Sequence, residues 1–219
     1  MDNPDRCKFI LLEWERVHDL CKWIAREIKN EGFKPDAIVA IARGGWCAGN
    51  LLSDQLSIKD LRSVKIEHWG YTGRITGEAK ITQPIVGELD GKDILLVDDI
   101  TDTGDSMRLA LRHLEDLKIN SVKTAVLKHK STSTLKPDFI GTEMDDWKWV
   151  VFPWNINEDI MNIIEMVVIS NGMPIDSIEY KLRGEFDLCI GREELYEIMN
   201  DMEQDGRVIS EGVIWRRRS

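Results

Sequence analysis

The sequence predicts an α/β protein with a mostly parallel sheet flanked by helices. Two observations support this prediction: apolar runs of strand length recur along the chain, and amphipathic helical patterns alternate with them. The clearest runs are Ala37–Ala42 and Ile94–Val97, which contain no polar residue. Continuous apolar runs of this length are typical of parallel strands that are covered by helices on both faces.

The predicted elements of the first part of the chain alternate between helix and strand. In chain order they are a helix over Val17–Ile28 that ends at Gly32, a strand over Ala37–Ala42, a helix over Trp46–Leu56, a strand over Val64–Trp69, a strand over Ile94–Val97 with its helix over Leu109–Leu117, a strand over Val122–Leu127, and short strands at Asp138–Ile140 and Trp149–Phe152. Residues 70–84 contain three glycines and Pro84, which predict a mobile hairpin or lid.

The pattern changes near Asn157. Amphipathic helices are predicted over 160–168, 174–182 and 192–202, followed by a small hairpin over 207–215. Three helices and a hairpin resemble a winged-helix module, and such modules often bind DNA through the third helix. We therefore expect one domain over 1–157, including the lid, and a small winged-helix-like extension over 158–219.

Charge argues against nucleic acid as a partner. The chain has a formal net charge of −10, and residues 158–219 alone carry 14 acidic and 7 basic side chains. Binding to phosphates requires the opposite sign. Packing of the extension against the first domain or against another subunit is the favoured interpretation.

The amino-acid composition also indicates the cellular compartment of the protein. No apolar stretch approaches the roughly 20 residues that span a bilayer, and the polar, acidic N-terminus is unlike a signal peptide. The four cysteines are scattered without a Cys-x-x-Cys pair, which predicts neither a zinc site nor a disulfide framework. These features predict a cytoplasmic protein without membrane contact.

The most informative segment is Val97–Ser106, which reads VDDITDTGDS. Asp98 and Asp99 follow a buried strand at its carboxyl end, where open α/β sheets bind ligands. The small residues after them open a helix, and a helix N-terminus favours an anionic phosphate. Paired carboxylates beside a phosphate cradle predict a sugar phosphate and a metal ion. The alternative is an acidic turn that only caps the next helix.

This segment resembles the ribose-phosphate signature of type I phosphoribosyltransferases, an apolar run followed by D-D-x-x-D-T-G-x-S/T. The resemblance implies that the substrate is phosphoribosyl pyrophosphate, with its 5-phosphate on Asp102–Ser106. Asp98 and Asp99 would hold the ribose hydroxyls and Mg²⁺. Asp102 is implied to be the catalytic acid or base at purine N7.

Two further matches lie outside the signature. Arg43-Gly44 is similar to the pyrophosphate-binding S-R-G-G turn of bacterial xanthine-guanine enzymes. Lys130 and Trp149, the latter in a W-x-x-x-P-W context, resemble the base site of 6-oxopurine phosphoribosyltransferases, in which a lysine donates to purine O6 and an aromatic ring stacks on the base. Lys128 is the alternative to Lys130.

The resemblance implies a set of substrate-binding residues. They are Arg43, Gly44, Asp98, Asp99, Thr101, Asp102, Thr103, Gly104, Asp105, Ser106, Lys130, Trp149 and Asn155. Two of them depart from the family pattern. Asp105 adds a carboxylate to the phosphate loop, and Asn155 stands where relatives often carry an acidic residue.

The predicted function is purine salvage, in which a 5-phosphoribosyl group is transferred to guanine, xanthine or hypoxanthine. The chain resembles the archaeal branch of the family, which carries such a helical extension, and a homodimer or tetramer is implied. An orotate or other pyrimidine transferase is disfavoured, because a lysine and a tryptophan suit an oxopurine better. The non-enzyme alternative is a regulator that senses phosphoribosyl pyrophosphate and signals through the winged-helix-like extension.

Overall fold

The structure is a computed structural model that describes residues 9–68, 79–145, 148–168 and 171–218. The chain divides into two compact units: one comprises Glu13–Trp147, and the other joins Met1–Leu12 to Lys148–Ser219. We call them the sheet unit and the C-terminal unit. Among the described residues, none of the helices is both long enough and apolar enough to cross a bilayer.

The helices and strands have the following bounds. In chain order they are β1 (Phe9–Leu11), α1 (Trp14–Glu31), β2 (Ala37–Ala42), α2 (Gly44–Leu56), β3 (Leu61–His68), β4 (Ala79–Gln83), β5 (Asp93–Thr101), α3 (Asp105–Glu115), β6 (Ser121–Lys130), β7 (Phe139–Met144), β8 (Trp149–Val151), α4 (Ile156–Val167), β9 (Met173–Pro174), α5 (Ile175–Phe186), α6 (Arg192–Gln204), β10 (Val208–Glu211) and β11 (Ile214–Arg217).

The sheet unit contains a six-stranded sheet in the order β4-β3-β2-β5-β6-β7. Only β4 runs antiparallel to its neighbour, so the predicted mostly parallel sheet is confirmed. The apolar runs of β2 and β5 lie side by side at its centre and are almost wholly buried. Because β2, β5 and β6 run parallel, Ala42, Thr101 and Lys130 end their strands at one edge of the sheet.

Part of the predicted lid is a regular strand. Ala79–Gln83 is an edge strand that pairs antiparallel with β3, the strand before it in the chain, as expected for a hairpin. The first part of the predicted lid, residues 70–78, lies outside the described residues. The second helix also differs from its prediction, because it begins at Gly44 rather than at Trp46 and takes the glycine pair into its first turn.

The boundary between the compact units lies at residue 148, whereas the sequence prediction places the domain boundary after residue 157. The reason is β8, which pairs in parallel with β1 as a separate two-stranded sheet. The predicted strand at Trp149–Phe152 therefore does not extend the main sheet. A three-residue strand such as β1 carries no periodicity from which it could have been predicted.

The C-terminal unit has the winged-helix-like arrangement that the sequence predicts. Its helices α4, α5 and α6 are followed by the hairpin β10–β11, and β9 completes an antiparallel sheet in the order β10-β11-β9. Apolar side chains of all three helices form its core, as Ile164, Ile178 and Met199 show. The outward face of α6 carries exposed acidic residues, among them Glu193 and Glu197.

Candidate active site

The paired carboxylates lie within β5 near its carboxyl end. Asp98 and Asp99 are each 8 % exposed, and the backbone N–H of Asp99 donates to Oδ1 of Asp98 at 2.9 Å. Burial, together with the neighbouring charge of Asp99, raises the pKa of Asp98 well above its ordinary value. Two adjacent buried carboxylates are costly without a compensating cation, so this end of the strand is suited to bind one.

The glycine pair at the start of α2 allows the helix to approach these carboxylates closely. A Cβ on Gly44 would lie 1.8 Å from Oδ2 of Asp99, and a Cβ on Gly45 would lie 2.6 Å from the backbone oxygen of Val97. Arg43 is the residue that precedes α2. The N-terminus of α2 and the Asp99 carboxylate therefore meet at the sheet edge, where the positive end of the helix dipole favours anions.

The segment Asp102–Ser106, here called the phosphate loop, joins β5 to α3. Gly104 has a φ of 87° and precedes the first residue of α3. A residue with a Cβ would be strained in this conformation and would also lie 2.8 Å from Cβ of Leu135. The first helical hydrogen bond runs from the N–H of Arg108 to the oxygen of Gly104, so the N–H groups before it are not used in helical hydrogen bonds, and that of Asp105 donates to the Thr103 hydroxyl. This geometry suits an anion.

Thr101 is the last residue of β5. Its side chain is 2 % exposed and shares a hydrogen bond of 2.7 Å with Nδ1 of His129. Burial lowers the pKa of His129, which favours the neutral ring. The hydroxyl of Thr101 thus has a partner inside the sheet unit, and the predicted role of Thr101 as a substrate contact stays a prediction. His129, for which the sequence suggested no role, positions the end of β5.

Asp105 has partners within its own loop and helix. The Thr103 hydroxyl donates to Oδ2 of Asp105 at 2.7 Å, and Nη1 of Arg108 lies 3.4 Å from Oδ1. Nη2 of Arg108 also donates to the backbone oxygen of Thr103 at 2.9 Å and to the hydroxyl of Thr134. Arg108 therefore offsets the charge of the carboxylate by which the phosphate loop departs from the family pattern.

The predicted acid or base and the predicted base-reading lysine lie together. Nζ of Lys130 donates to Oδ2 of Asp102 at 2.8 Å, and the side chains are 3 % and 21 % exposed respectively. Lys128 is also buried, and its burial, aided by the positive charge of Arg16, lowers its pKa. Of the two lysines, Lys130 is the one that the structure joins to the phosphate loop.

Trp149 and Asn155 belong to the C-terminal unit. The indole Nε1 of Trp149 donates to Oδ1 of Asp159 at 3.2 Å. Asn155 precedes α4, and its backbone oxygen accepts the N–H of Asp159. The role of Trp149 and Asn155 at the base stays a prediction. The rings of Phe152 and Trp154 stack at 4.8 Å in the same segment.

Residues 10–159 match the phosphoribosyl transferase domain family, and the match covers more than half of the chain. The chain belongs to this family. It is therefore a phosphoribosyltransferase, and the whole sheet unit lies within the matched region.

Individual relatives agree with this assignment. The purine phosphoribosyltransferase from Pyrococcus horikoshii is 30 % identical in sequence, with a TM-score of 0.59 over 67 % of this chain and 94 % of that one. A xanthine-guanine phosphoribosyltransferase from Idiomarina loihiensis is 26 % identical over 147 residues, which are 67 % of this chain and 86 % of the relative. The xanthine-guanine-hypoxanthine phosphoribosyltransferase of Helicobacter pylori shares the fold. It is 22 % identical in sequence, with a TM-score of 0.57 over 72 % of this chain and 97 % of that one.

The carboxylates of this phosphoribosyltransferase fit Mg²⁺. The described residues hold no group of three or more His, Cys, Asp or Glu side chains that would enclose a metal on their own. Mg²⁺ binds through one or two carboxylates and retains water and phosphate ligands, unlike a metal in an all-protein cage. Asp98 and Asp99 supply two adjacent carboxylates with hard oxygen donors, which match that requirement.

Proposed function

We propose that this phosphoribosyltransferase transfers the 5-phosphoribosyl group of phosphoribosyl pyrophosphate to a 6-oxopurine. The observation that carries the proposal is the hydrogen bond between Lys130 and Asp102. O6 and N7 are neighbouring acceptors on one edge of an oxopurine. An ammonium beside a carboxylate would therefore match these two atoms. The ammonium would donate a hydrogen bond to O6, and the carboxylate would exchange a proton with N7.

The same pair disfavours adenine. Adenine presents an amino group, a donor, at the position where an oxopurine presents O6. A lysine ammonium has donors only, so it cannot accept a hydrogen bond from that group. The names of the relatives, which are purine and xanthine-guanine phosphoribosyltransferases, support the same substrate class.

The reaction uses the groups at the sheet edge as follows. N9 of the purine forms a bond to C1 of the ribose while the bond from C1 to the pyrophosphate oxygen breaks, and pyrophosphate leaves with that electron pair. Asp102 takes up the proton that the purine loses through N7. Lys130 stabilises O6 and holds Asp102 in place. The backbone at the start of α3 would bind the 5-phosphate, and Arg43-Gly44 would lie against the pyrophosphate.

Asp98 and Asp99 would hold the ribose hydroxyls and Mg²⁺. When bound, the cation would supply positive charge that stabilises the departing pyrophosphate. The carboxylate of Asp99 also lies against the first turn of α2, where any side chain at position 44 would displace it. The two acidic residues thereby join the ribose end of the site to the pyrophosphate end.

A turnover screen tests the proposed function. The purified chain is incubated with phosphoribosyl pyrophosphate, Mg²⁺ and one free base at a time: guanine, xanthine, hypoxanthine, adenine or orotate. We expect nucleoside monophosphate and pyrophosphate in equal amounts with one or more of the three oxopurines, and little product with adenine or orotate. No product from any oxopurine would refute the proposal.

The comparisons give no support to the alternative of a regulator. The winged-helix-like arrangement alone would permit DNA binding, but the outward face of α6 is acidic and would repel phosphates. We expect no salt-sensitive DNA binding in a gel-shift assay. A homodimer or tetramer remains a prediction, which light scattering of the purified chain would test.

A further inference from the structure

Asp105 places a negative charge where a phosphate must bind. The side chain stands at the first position of α3, 51 % exposed, next to the helix end that we assign to the 5-phosphate. A carboxylate at this position interacts favourably with the positive end of the helix dipole, as a phosphate would. The side chain and the ligand therefore compete for the same electrostatic stabilisation.

They also compete for one hydroxyl. Thr103 donates its hydroxyl to Oδ2 of Asp105 at 2.7 Å and accepts the N–H of Asp105 at 3.3 Å. A hydroxyl has a single hydrogen to donate, so in this arrangement it is directed to the carboxylate and withheld from a bound anion. A phosphate that takes this donor must first displace Asp105.

Arg108 is placed to receive the displaced carboxylate. It lies one turn further along α3, with Nη1 3.4 Å from Oδ1 of Asp105 and Nη2 2.9 Å from the oxygen of Thr103. Its contact with Thr134 fixes the guanidinium against the loop after β6. The contacts with Thr103 and Thr134 thus hold the guanidinium independently of Asp105. The Asp105 carboxylate can form a closer ion pair with Arg108 while the guanidinium stays in place.

We propose that Asp105 and Arg108 act as a latch that sets the affinity for the 5-phosphate. In the empty site Asp105 holds the Thr103 hydroxyl; when a phosphate binds, the carboxylate transfers to Arg108 and the hydroxyl turns to the phosphate. Asp105 lowers the affinity by competition, and Arg108 limits that loss by neutralising the carboxylate. The proposal rests on the assignment of the phosphate loop under the proposed function.

The test measures binding of ribose 5-phosphate by calorimetry, without any purine, so that it can be read even if the chain fails to use an oxopurine. Asp105→Asn keeps the shape of the side chain and removes its charge. We expect the Kd for ribose 5-phosphate to fall about three- to tenfold at low ionic strength, and the gain to shrink at about 0.5 M salt. Asp116→Asn, which removes one charge at the other end of α3, is the matched control and should change the Kd less than twofold, roughly.

Arg108→Gln completes a double-mutant cycle. In the unaltered background we expect it to weaken binding about three- to tenfold, and in the Asp105→Asn background by less than about twofold, because the charge that it neutralises is absent. Arg112→Gln on the same helix is its control. Equal or weaker binding by Asp105→Asn, or additive effects in the cycle, would overturn the latch. If Arg108→Gln fails to fold by circular dichroism, Asp105→Asn against Asp116→Asn still decides the proposal.

Discussion

The buried ammonium of Lys130 donates a hydrogen bond of 2.8 Å to Asp102, and the two residues come from different strand ends. Asp102 begins the phosphate loop after β5, whereas Lys130 is the last residue of β6. The register of these two parallel strands brings their ends together, with Thr101 opposite His129. The ion pair therefore links the loop that we propose for the sugar phosphate to the residue that we propose for the base.

Asp102→Asn should separate chemistry from binding. The amide oxygen can still accept the hydrogen bond of Lys130, but an amide cannot take up the proton that leaves the purine. We expect kcat to fall about 10²- to 10⁴-fold, the usual range for a lost general acid or base. The Kd for phosphoribosyl pyrophosphate, measured by calorimetry, should change little. An unchanged kcat would remove Asp102 from the proton transfer.

Lys130→Met tests which lysine reads the base. The substitution keeps most of the buried volume and removes the ammonium, so the KM for an oxopurine should rise about tenfold or more, as expected for a lost hydrogen bond from a charged donor. Lys128→Met removes the neighbouring buried ammonium and serves as the comparison. If the KM rises for Lys128→Met and not for Lys130→Met, the assignment of the base-reading lysine is wrong.

Gly44→Ala should damage the carboxylate end of the site. The added Cβ would lie 1.8 Å from Oδ2 of Asp99, so either the carboxylate or the first turn of α2 must move. We expect the Mg²⁺ concentration required for half-maximal turnover to rise at least about tenfold, because a shift of about 1 Å in a positioning group can cost that much or more. Gly184→Ala, at a position in α5 where a Cβ meets nothing within 4 Å, is the control. Equal Mg²⁺ requirements for the two variants would contradict the proposed role of Asp99.

The central strands could be predicted from sequence because burial on both faces leaves an unbroken apolar run, as in β2 and β5. The strand β4 could be predicted only as part of a hairpin or lid and without bounds, since its residues AKITQ are largely polar and stand at an exposed edge. At three residues, β1 is too short to carry a period. The hydrophobic pattern of the sequence identifies strands whose burial dictates their residue types, and it does not delimit strands that are short or exposed.

The candidate site likewise contains residues that could be predicted from the sequence and residues that could not. The stretch Asp98–Ser106 is contiguous, so its role could be inferred from local order alone. Arg108 could not be placed, because its contact with Thr134 joins residues 26 positions apart. The helical spacing of three between Asp105 and Arg108 was the one sequence signal that could have indicated their pairing. The bond between Thr101 and His129 depends on strand register, which no local pattern reports.

Asp60, which lies outside the candidate active site, allows the pH dependence of the stability of the folded chain to be tested. Its carboxylate accepts hydrogen bonds from Nε and Nη2 of Arg62 at 2.8 and 3.0 Å and from Nζ of Lys92 at 2.7 Å. The bonds from Arg62, followed by that from Lys92, lower the pKa of Asp60 to about 2. They join the start of β3 to the turn before β5, so the charged form of Asp60 stabilises the sheet unit.

The sign of the effect follows from the lowered pKa. The unfolded chain binds a proton at Asp60 near its ordinary pKa of about 3.9, before the folded chain does, so the stabilisation is complete above about pH 4 and is lost as the pH falls through about 2. With the side chain 29 % exposed, solvent screening reduces the contribution to about 1 kcal/mol.

Asp60→Asn should therefore lower the free energy of unfolding by about that amount at neutral pH, measured by urea denaturation, and by progressively less below about pH 4. Asp90→Asn, at an exposed position near β5, controls for the loss of one charge. A difference between Asp60→Asn and the unaltered chain that stays constant from neutral pH to about pH 2.5 would show that the carboxylate contributes by shape rather than by charge.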